Sequence, residues 1–257
     1  MQADDLPDAS MFDTVILLTG PAEHPTLSAL LWQHNARLNI HIVTTLAELE
    51  AIKPSALRRA RLVAFVTPIV VSKRILERLG FGAYNFHPGP PHYPGWLPAY
   101  LAVYERARTF GATAHVMTER VDAGAIVDVE LFDIAPTVTP SALEQHAFAE
   151  AARLFWRLAP MLARRSDPLP ELPIRWSGRK STRRLYAELC EIPPDIAGDD
   201  LQRRIAAFGG GHPDMCPTLT LHGHAFRFSG KPAAVEESGL VPEPEPARVA
   251  DTAFSAP

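Results

Sequence analysis

Cysteine is nearly missing from this chain: Cys190 and Cys216 are its two examples, far apart and in no Cys-x-x-Cys pair. That usage excludes a disulfide framework, a zinc knuckle and a dithiol redox motif. No run approaches the roughly 18 uninterrupted apolar residues of a membrane-spanning helix. The first ten residues lack the basic and apolar regions of an export signal, so the chain reads as soluble and cytoplasmic, with no membrane partner. Positive charge is not in excess either, with 25 Lys and Arg against 29 Asp and Glu and a formal net charge of -4. Without a global basic field, gripping a nucleic-acid backbone would require a local patch, which leaves small ligands as the better partners. A phosphate-cradling loop is absent as well. Gly209-Gly210-Gly211-His212 has no strand before it and no Gly-Lys-Ser/Thr after it, and reads as a connector.

Apolar residues are plentiful, at 47% of 257, enough for one substantial core and a small second unit. The patterning predicts strands over 13–18, 38–44, 61–67 and 83–87, with helices over 25–35 and 73–79, the second capped by Ser72. Alternation of this kind specifies an α/β fold with a Rossmann-like, mostly parallel sheet covered by helices. After a proline-rich loop, 99–108 reads as a helix, 112–119 and 125–134 as strands, and 140–164 as one long amphipathic helix. A catalytic-type domain over 11–165 thus follows a flexible N-terminus at 1–10. Residues 166–234 differ in texture: a proline-containing connector, two short basic-rich helices at 181–191 and 199–208, and a hairpin around His222-Gly223-His224. They predict a small α+β accessory domain. From 235 to 257 proline, glutamate and alanine dominate, too poor in large apolar side chains to offset the entropy of ordering, and a disordered tail is expected.

The chemistry concentrates in two segments. Asn85-Phe86-His87 ends a strand and runs into Pro88-Gly89-Pro90-Pro91-His92-Tyr93-Pro94-Gly95. Residues two apart share a face of a strand, so Asn85 and His87 point together into the crevice that this loop borders. The second segment runs from Gly111 to Val127, with His115 on a strand and Asp122 in the following turn. Together they supply an amide, two imidazoles and a carboxylate. Taken singly, each has an ordinary reading: Asn85 as a turn former, His87 as a surface histidine, His115 as a hydrogen-bonded core residue, Asp122 with Gly124 as a plain turn. A metal site built from His87, His92 and His115 would need a second shell that cannot be read here, and no metal is assigned.

In order and spacing, Asn85-Phe86-His87-Pro88, Thr113-Ala114-His115 and Val121-Asp122-Ala123-Gly124-Ala125-Ile126 resemble the formyltransferases that use 10-formyltetrahydrofolate, a family spanning methionyl-tRNA, glycinamide ribonucleotide and nucleotide-amino-sugar enzymes. The resemblance is densest over 61–134 and extends over 11–165. It implies that Asn85 donates to the formyl oxygen, that His87 polarises the same oxygen or exchanges a proton, that Asp122 sets the state of His87 and accepts the amine proton, and that His115 holds Asp122. It further implies folate contacts at Val66, Thr67, Pro68 and Gly124, with 10-formyltetrahydrofolate as co-substrate and no metal. Tyr93, Trp96 and Tyr100 become candidates for touching the acceptor, although core packing explains them equally well. One departure stands out: many relatives continue from the histidine with Pro-Ser-Leu-Leu-Pro and reach the glycine one residue later, so this loop is shorter and stiffer.

Length and charge select among acceptors. A nucleotide-linked amino sugar suits a catalytic domain with a small, locally basic second unit, in which Arg175, Arg179, Lys180, Arg183 and Arg184 could hold a phosphate or form a solvated face. The alternatives are a methionyl-tRNA formyltransferase-like enzyme, a hydrolase releasing formate from the same donor, and a folate-binding protein without turnover. Exposed apolar positions in 166–234 are compatible with a homodimer.

Overall fold

The computed structural model describes residues 12–230. The N-terminal stretch 1–10, the tail 235–257 and the last residues of the accessory segment lie outside the described residues. β1 (Thr14–Leu18) is an apolar run buried throughout, as a strand covered on both faces must be. α1 (His24–His34) and β2 (Asn39–Val43) follow close to the expected bounds. Two short helices were not anticipated, α2 (Leu46–Glu50) and α3 (Pro54–Leu57). The first opens with a capping box: the Thr45 hydroxyl accepts from the Glu48 N–H, and the Glu48 carboxylate accepts from the Thr45 N–H.

β3 (Ala60–Phe65), α4 (Lys73–Leu76), β4 (Ala83–His87), α5 (Pro98–Tyr104), β5 (Thr109–Val116), β6 (Ile126–Asp133) and α6 (Pro140–Arg164) complete the central layer. The sheet order is β2-β1-β3-β4-β5-β6. β2, β1, β3 and β4 are parallel, and β5 and β6 run antiparallel to their neighbours. Some boundaries differ from expectation. α4 stops at Leu76, and the Ser72 hydroxyl at its N-cap position bonds no backbone N–H of the helix. α5 ends at Tyr104 because Arg106 turns left-handed at φ 54°, and β5 then starts at Thr109.

Leu27 and Leu31 of α1, together with Leu154, Phe155 and Leu158 of α6, pack on one face of the sheet against Val15, Leu17, Val63, Phe65 and Phe86. On the other face Ile16, Leu18, Leu62 and Ala64 meet Leu49, Leu57 and Ile75. The C-terminal elements are α7 (Arg183–Cys190), β7 (Glu191–Ile192), α8 (Gly198–Phe208), β8 (Thr218–Leu221) and β9 (His224–Arg227), with the last two strands forming the expected hairpin. β7 adds a parallel pairing to β8, too short to show as a period in the sequence. Their core is shared rather than private: Tyr186, Cys190, Ala207, Phe208 and Met215 pack with Tyr93, Ala99, Leu101, Phe110 and Leu143.

One cation is fully buried in the sheet. The Arg61 guanidinium donates to the carbonyls of Phe81 at 3.1 Å, Met161 at 3.2 Å, Leu162 at 3.0 Å and Asp167 at 3.2 Å. Met161 and Leu162 lie in the last turn of α6, where the dipole is negative; the Met161 carbonyl also accepts the Arg165 N–H at 3.0 Å. Arg61 therefore fastens β3 to the end of α6. Arg61→Met should lower unfolding free energy by about 3 kcal/mol, since several buried carbonyls lose a charged donor. Urea denaturation measures this, and a loss below about 1 kcal/mol would show the tie to be dispensable.

Candidate active site

The site forms where β4 ends. β4 presents Asn85 and His87 on one face, and the antiparallel register of β5 sets His115 opposite Asn85 and Thr113 opposite His87. Beyond β5 the chain reverses, the Val116 N–H donating to the Ala125 carbonyl at 2.8 Å. Asp122 sits in that turn at φ 44°, a left-handed conformation that Asp adopts more readily than most residues. His87, His115 and Asp122 are buried at 5%, 2% and 4% exposure, while Asn85 stays half-buried.

Asp122 gathers the group. Its Oδ2 accepts the Gly95 N–H at 2.8 Å and lies 3.5 Å from His87 Nδ1, and its Oδ1 lies 3.3 Å from His115 Nε2. Two carbonyls set the neutral tautomers. His115 Nδ1 is 2.9 Å from the Val116 carbonyl, which can only accept, so Nδ1 carries the proton and Nε2 takes an Asn85 amide N–H at 3.1 Å. His87 Nε2 is 3.1 Å from the Tyr93 carbonyl, which leaves Nδ1 as the nitrogen facing the carboxylate. Burial pulls the His87 imidazole below its usual range, against the upward pull of Asp122 and the Tyr93 carbonyl. Burial pushes the Asp122 carboxyl up, but the His87 and His115 rings, once the nitrogens facing it are protonated at acid pH, and the Gly95 N–H outweigh burial and hold the group down at about 2. At neutral pH the arrangement is an ionised carboxylate beside a neutral imidazole that can take up one proton.

Two glycines make the geometry fit. A Cβ on Gly89 would stand 2.6 Å from His87 Nε2 and 2.8 Å from Pro98. Gly95 has φ 110°, and a Cβ there would stand 2.3 Å from the Ser181 carbonyl. Thr113 steadies the loop by donating to the Gly89 carbonyl at 2.7 Å.

The residues expected to meet folate occupy the neighbouring strand end. Val66 follows β3 at φ 44°, its N–H donating to the Phe86 carbonyl at 3.1 Å, and the Thr67 hydroxyl accepts the Ile69 N–H at 3.3 Å. Pro68 is exposed, whereas Gly124 is buried and offers its carbonyl to Trp176. Of the acceptor candidates, Tyr93 needs correction: its ring is 5% exposed and packs on Phe110, so its contribution to the site is the carbonyl that holds His87. Trp96 and Tyr100 are half-buried against Tyr186 and His212. His92 is exposed, its ring against Tyr93 rather than among the buried imidazoles. The basic residues disperse: Arg179 binds Glu105, Lys180 the Val121 carbonyl, Arg183 Asp214 and the face of Trp96, and Arg184 Glu188.

Sequence reasoning missed Trp176. Its Nε1–H donates to the Gly124 carbonyl at 2.8 Å, and its ring lies 5.0 Å from that of His115 and 5.9 Å from that of His87. The available signal was a lone tryptophan inside a polar, proline-rich connector.

A strand-end asparagine and histidine, a buried carboxylate and an opposing histidine bring together one amide donor and three groups able to hold or pass a proton. Residues 39–157 match the family model described as Formyl transferase, in agreement with the resemblance drawn from the motifs. No curated protein matches the chain. Among solved structures, a 4-N formyltransferase from Francisella tularensis aligns with TM-score 0.65 at 14% identity, over 84% of this chain and 96% of that one. A sugar N-formyltransferase from a Shewanella species gives 0.63 at 16%, with the same 84% and 96% coverage. An N-formyltransferase from Helicobacter canadensis, in complex with folinic acid and dTDP-3-aminofucose, gives 0.57 at 15%, over 77% and 81%. The fold is the one these enzymes share.

The protonation states predict how stability follows pH. His87 and Asp122 both have lowered values in the folded protein, so each contributes stability above its unfolded value and loses it as pH falls. The His87 contribution begins to fade below its ordinary 6.5. That of Asp122 fades between 3.8 and about 2 and amounts to about 2 kcal/mol. Chemical denaturation across pH should show both losses. Asp122→Asn should abolish the lower one, and its persistence in that variant would assign it to another carboxylate.

Proposed function

We propose that this protein is an N-formyltransferase that moves a formyl group from 10-formyltetrahydrofolate to a primary amine on a nucleotide-linked amino sugar. The observation that carries the reading is Asn85. Its amide has two hydrogens, and His115 takes one, which fixes the amide and leaves the other on the half-exposed side of the site. That free N–H is the oxyanion donor. When the amine nitrogen bonds to the formyl carbon, charge gathers on the formyl oxygen, and a preset donor there is worth far more than a solvent one. The amine proton passes to the facing Asp122 and His87 Nδ1, the C–N bond to folate breaks, and the folate nitrogen regains a proton.

The folate assignment is supported by the Val66–Pro68 backbone, which follows β3 beside the end of β4, with the Val66 N–H on the Phe86 carbonyl. The acceptor assignment is supported by the folinic acid and dTDP-3-aminofucose bound to the Helicobacter canadensis enzyme. It is also favoured over tRNA by the state of the C-terminal cations. Arg179, Arg183, Arg184, Arg203 and Arg204 are each paired with a carboxylate of this chain, which offsets much of the positive charge that a nucleic-acid backbone would need.

Mass spectrometry of the purified protein with 10-formyltetrahydrofolate and a panel of nucleotide-linked amino sugars, small amines and methionyl-tRNA tests the reading. One amino sugar should be formylated, and Asn85→Ala should reduce the rate by about a hundred- to a thousandfold. Asp122→Asn should be at least as impaired while remaining folded. Near-normal turnover in either variant would refute the site, and exclusive formylation of methionyl-tRNA would refute the acceptor.

A further inference from the structure

The stretch Glu171–Lys180 crosses the mouth of the site as a strap. The Leu172 N–H donates to the Ile126 carbonyl at 2.7 Å, and the Ser177 N–H to the Pro91 carbonyl at 3.0 Å. The Ser177 hydroxyl donates to the His92 carbonyl at 2.7 Å, and Lys180 to the Val121 carbonyl. Just beyond, the Ser181 N–H donates to the Pro94 carbonyl at 2.9 Å. The strap therefore spans both loops of the site, the proline-rich loop after β4 and the turn that carries Asp122. From Glu171 to Arg179 every residue is exposed except Trp176. That one side chain turns inward, lies against His115 and His87, and locks its N–H onto Gly124. The imidazoles beneath it are almost wholly buried although the strap above them is not.

We propose that Trp176 is the water barrier of this site, a positioning residue that keeps solvent from His87 and Asp122 and so directs the formyl group to an amine rather than to water. The inference rests on the formyl-transfer reading and goes beyond it, because the machinery that assists an amine would assist water equally. In the wasteful branch a water oxygen bonds to the formyl carbon, the C–N bond to folate breaks, the water proton goes through Asp122 and His87 to the folate nitrogen, and formate leaves. Nothing in Asn85, His87 or Asp122 discriminates against this course, so exclusion has to come from cover. An indole supplies a large apolar surface with one polar edge, and here that edge is satisfied by Gly124.

The barrier also has a signature that needs no folate. His87 faces Asp122 from the turn, His115 from β5 and the Tyr93 carbonyl from the loop. Of the strap's cations, Arg179 is held by Glu105 and Lys180 by the Val121 carbonyl, and Arg175 is exposed on its outer side. Trp176 is thus the strap's contribution to the burial that lowers the His87 value, and admitting water should let that value rise towards 6.5.

Two measurements on Trp176→Ala and Trp176→Phe decide the matter. Ring-proton NMR titration of His87 in the free protein should show its midpoint moved upward in Trp176→Ala, and less so in Trp176→Phe, which retains a smaller ring. With 10-formyltetrahydrofolate and the acceptor present, the ratio of formate released to formyl transferred should rise about tenfold in Trp176→Ala. Should that variant not fold, Trp176→Phe carries the test with the same direction and a smaller amplitude. A folded variant with the His87 titration and the formate ratio both unchanged overturns the proposal. If the wild type consumes no formyl donor, the transfer reading falls, whereas the His87 titration still decides whether Trp176 excludes water.

Discussion

An ionised carboxylate buried without a guanidinium or ammonium beside it organises this molecule. Taking such a charge out of water costs several kcal/mol unless hydrogen bonds and nearby cations compensate. Among the described residues no Lys or Arg ion pair reaches Asp122; the Gly95 N–H donates to it directly, and His87 and His115 each face it with the ring nitrogen that can take up a proton. Each partner comes from a different segment: Gly95 from the proline-rich loop, His87 from β4, His115 from β5. The path of the loop, the register of the β4–β5 pair and the left-handed turn that holds Asp122 are therefore mutually constrained. The shortened loop is consistent with this, because its last glycine is the one that delivers the N–H.

Much of the sheet and the chemical group at its centre could be read from the residues alone. β1 and β3 are largely apolar runs too short to be helices, and α6 carries an apolar stripe along its whole length. Asn85 and His87 share a face by simple strand alternation, and that relation survives in the structure. What could not be read depended on long-range pairing. The sequence does not say that Asn85 would face His115 across an antiparallel ladder, nor which carbonyl would fix each tautomer. Tyr93 illustrates the difficulty: a tyrosine in a loop next to a site reads as a ligand contact, but the ring is captured by a core built partly from residues a hundred positions later. α2 differs, since its Thr45-Leu46-Ala47-Glu48 capping box is a local signal, but the helix is only five residues long and carries too little apolar periodicity to stand out between two strands.

Trp176 was hidden for a related reason. Composition marks its surroundings as a connector, and most of them are exposed, as a connector should be. A single inward side chain in such a segment creates no periodicity. Its role emerges only when the loop and the turn beneath it are in place to receive its hydrogen bond and its ring.

The strap also fixes the order in which the protein becomes complete. Synthesis delivers the sheet, the two loops and α6 before it delivers residues 171–181, so the nascent chain passes through a stage in which the carbonyls of Gly124, Pro91, Pro94 and Ile126 lack their eventual donors and the two imidazoles lie open. A fragment cut after α6 would retain Asn85, His87, His115 and Asp122 but not the segment that bonds to the loops around them. For this chain the boundary of the working unit lies well past the boundary of the sheet.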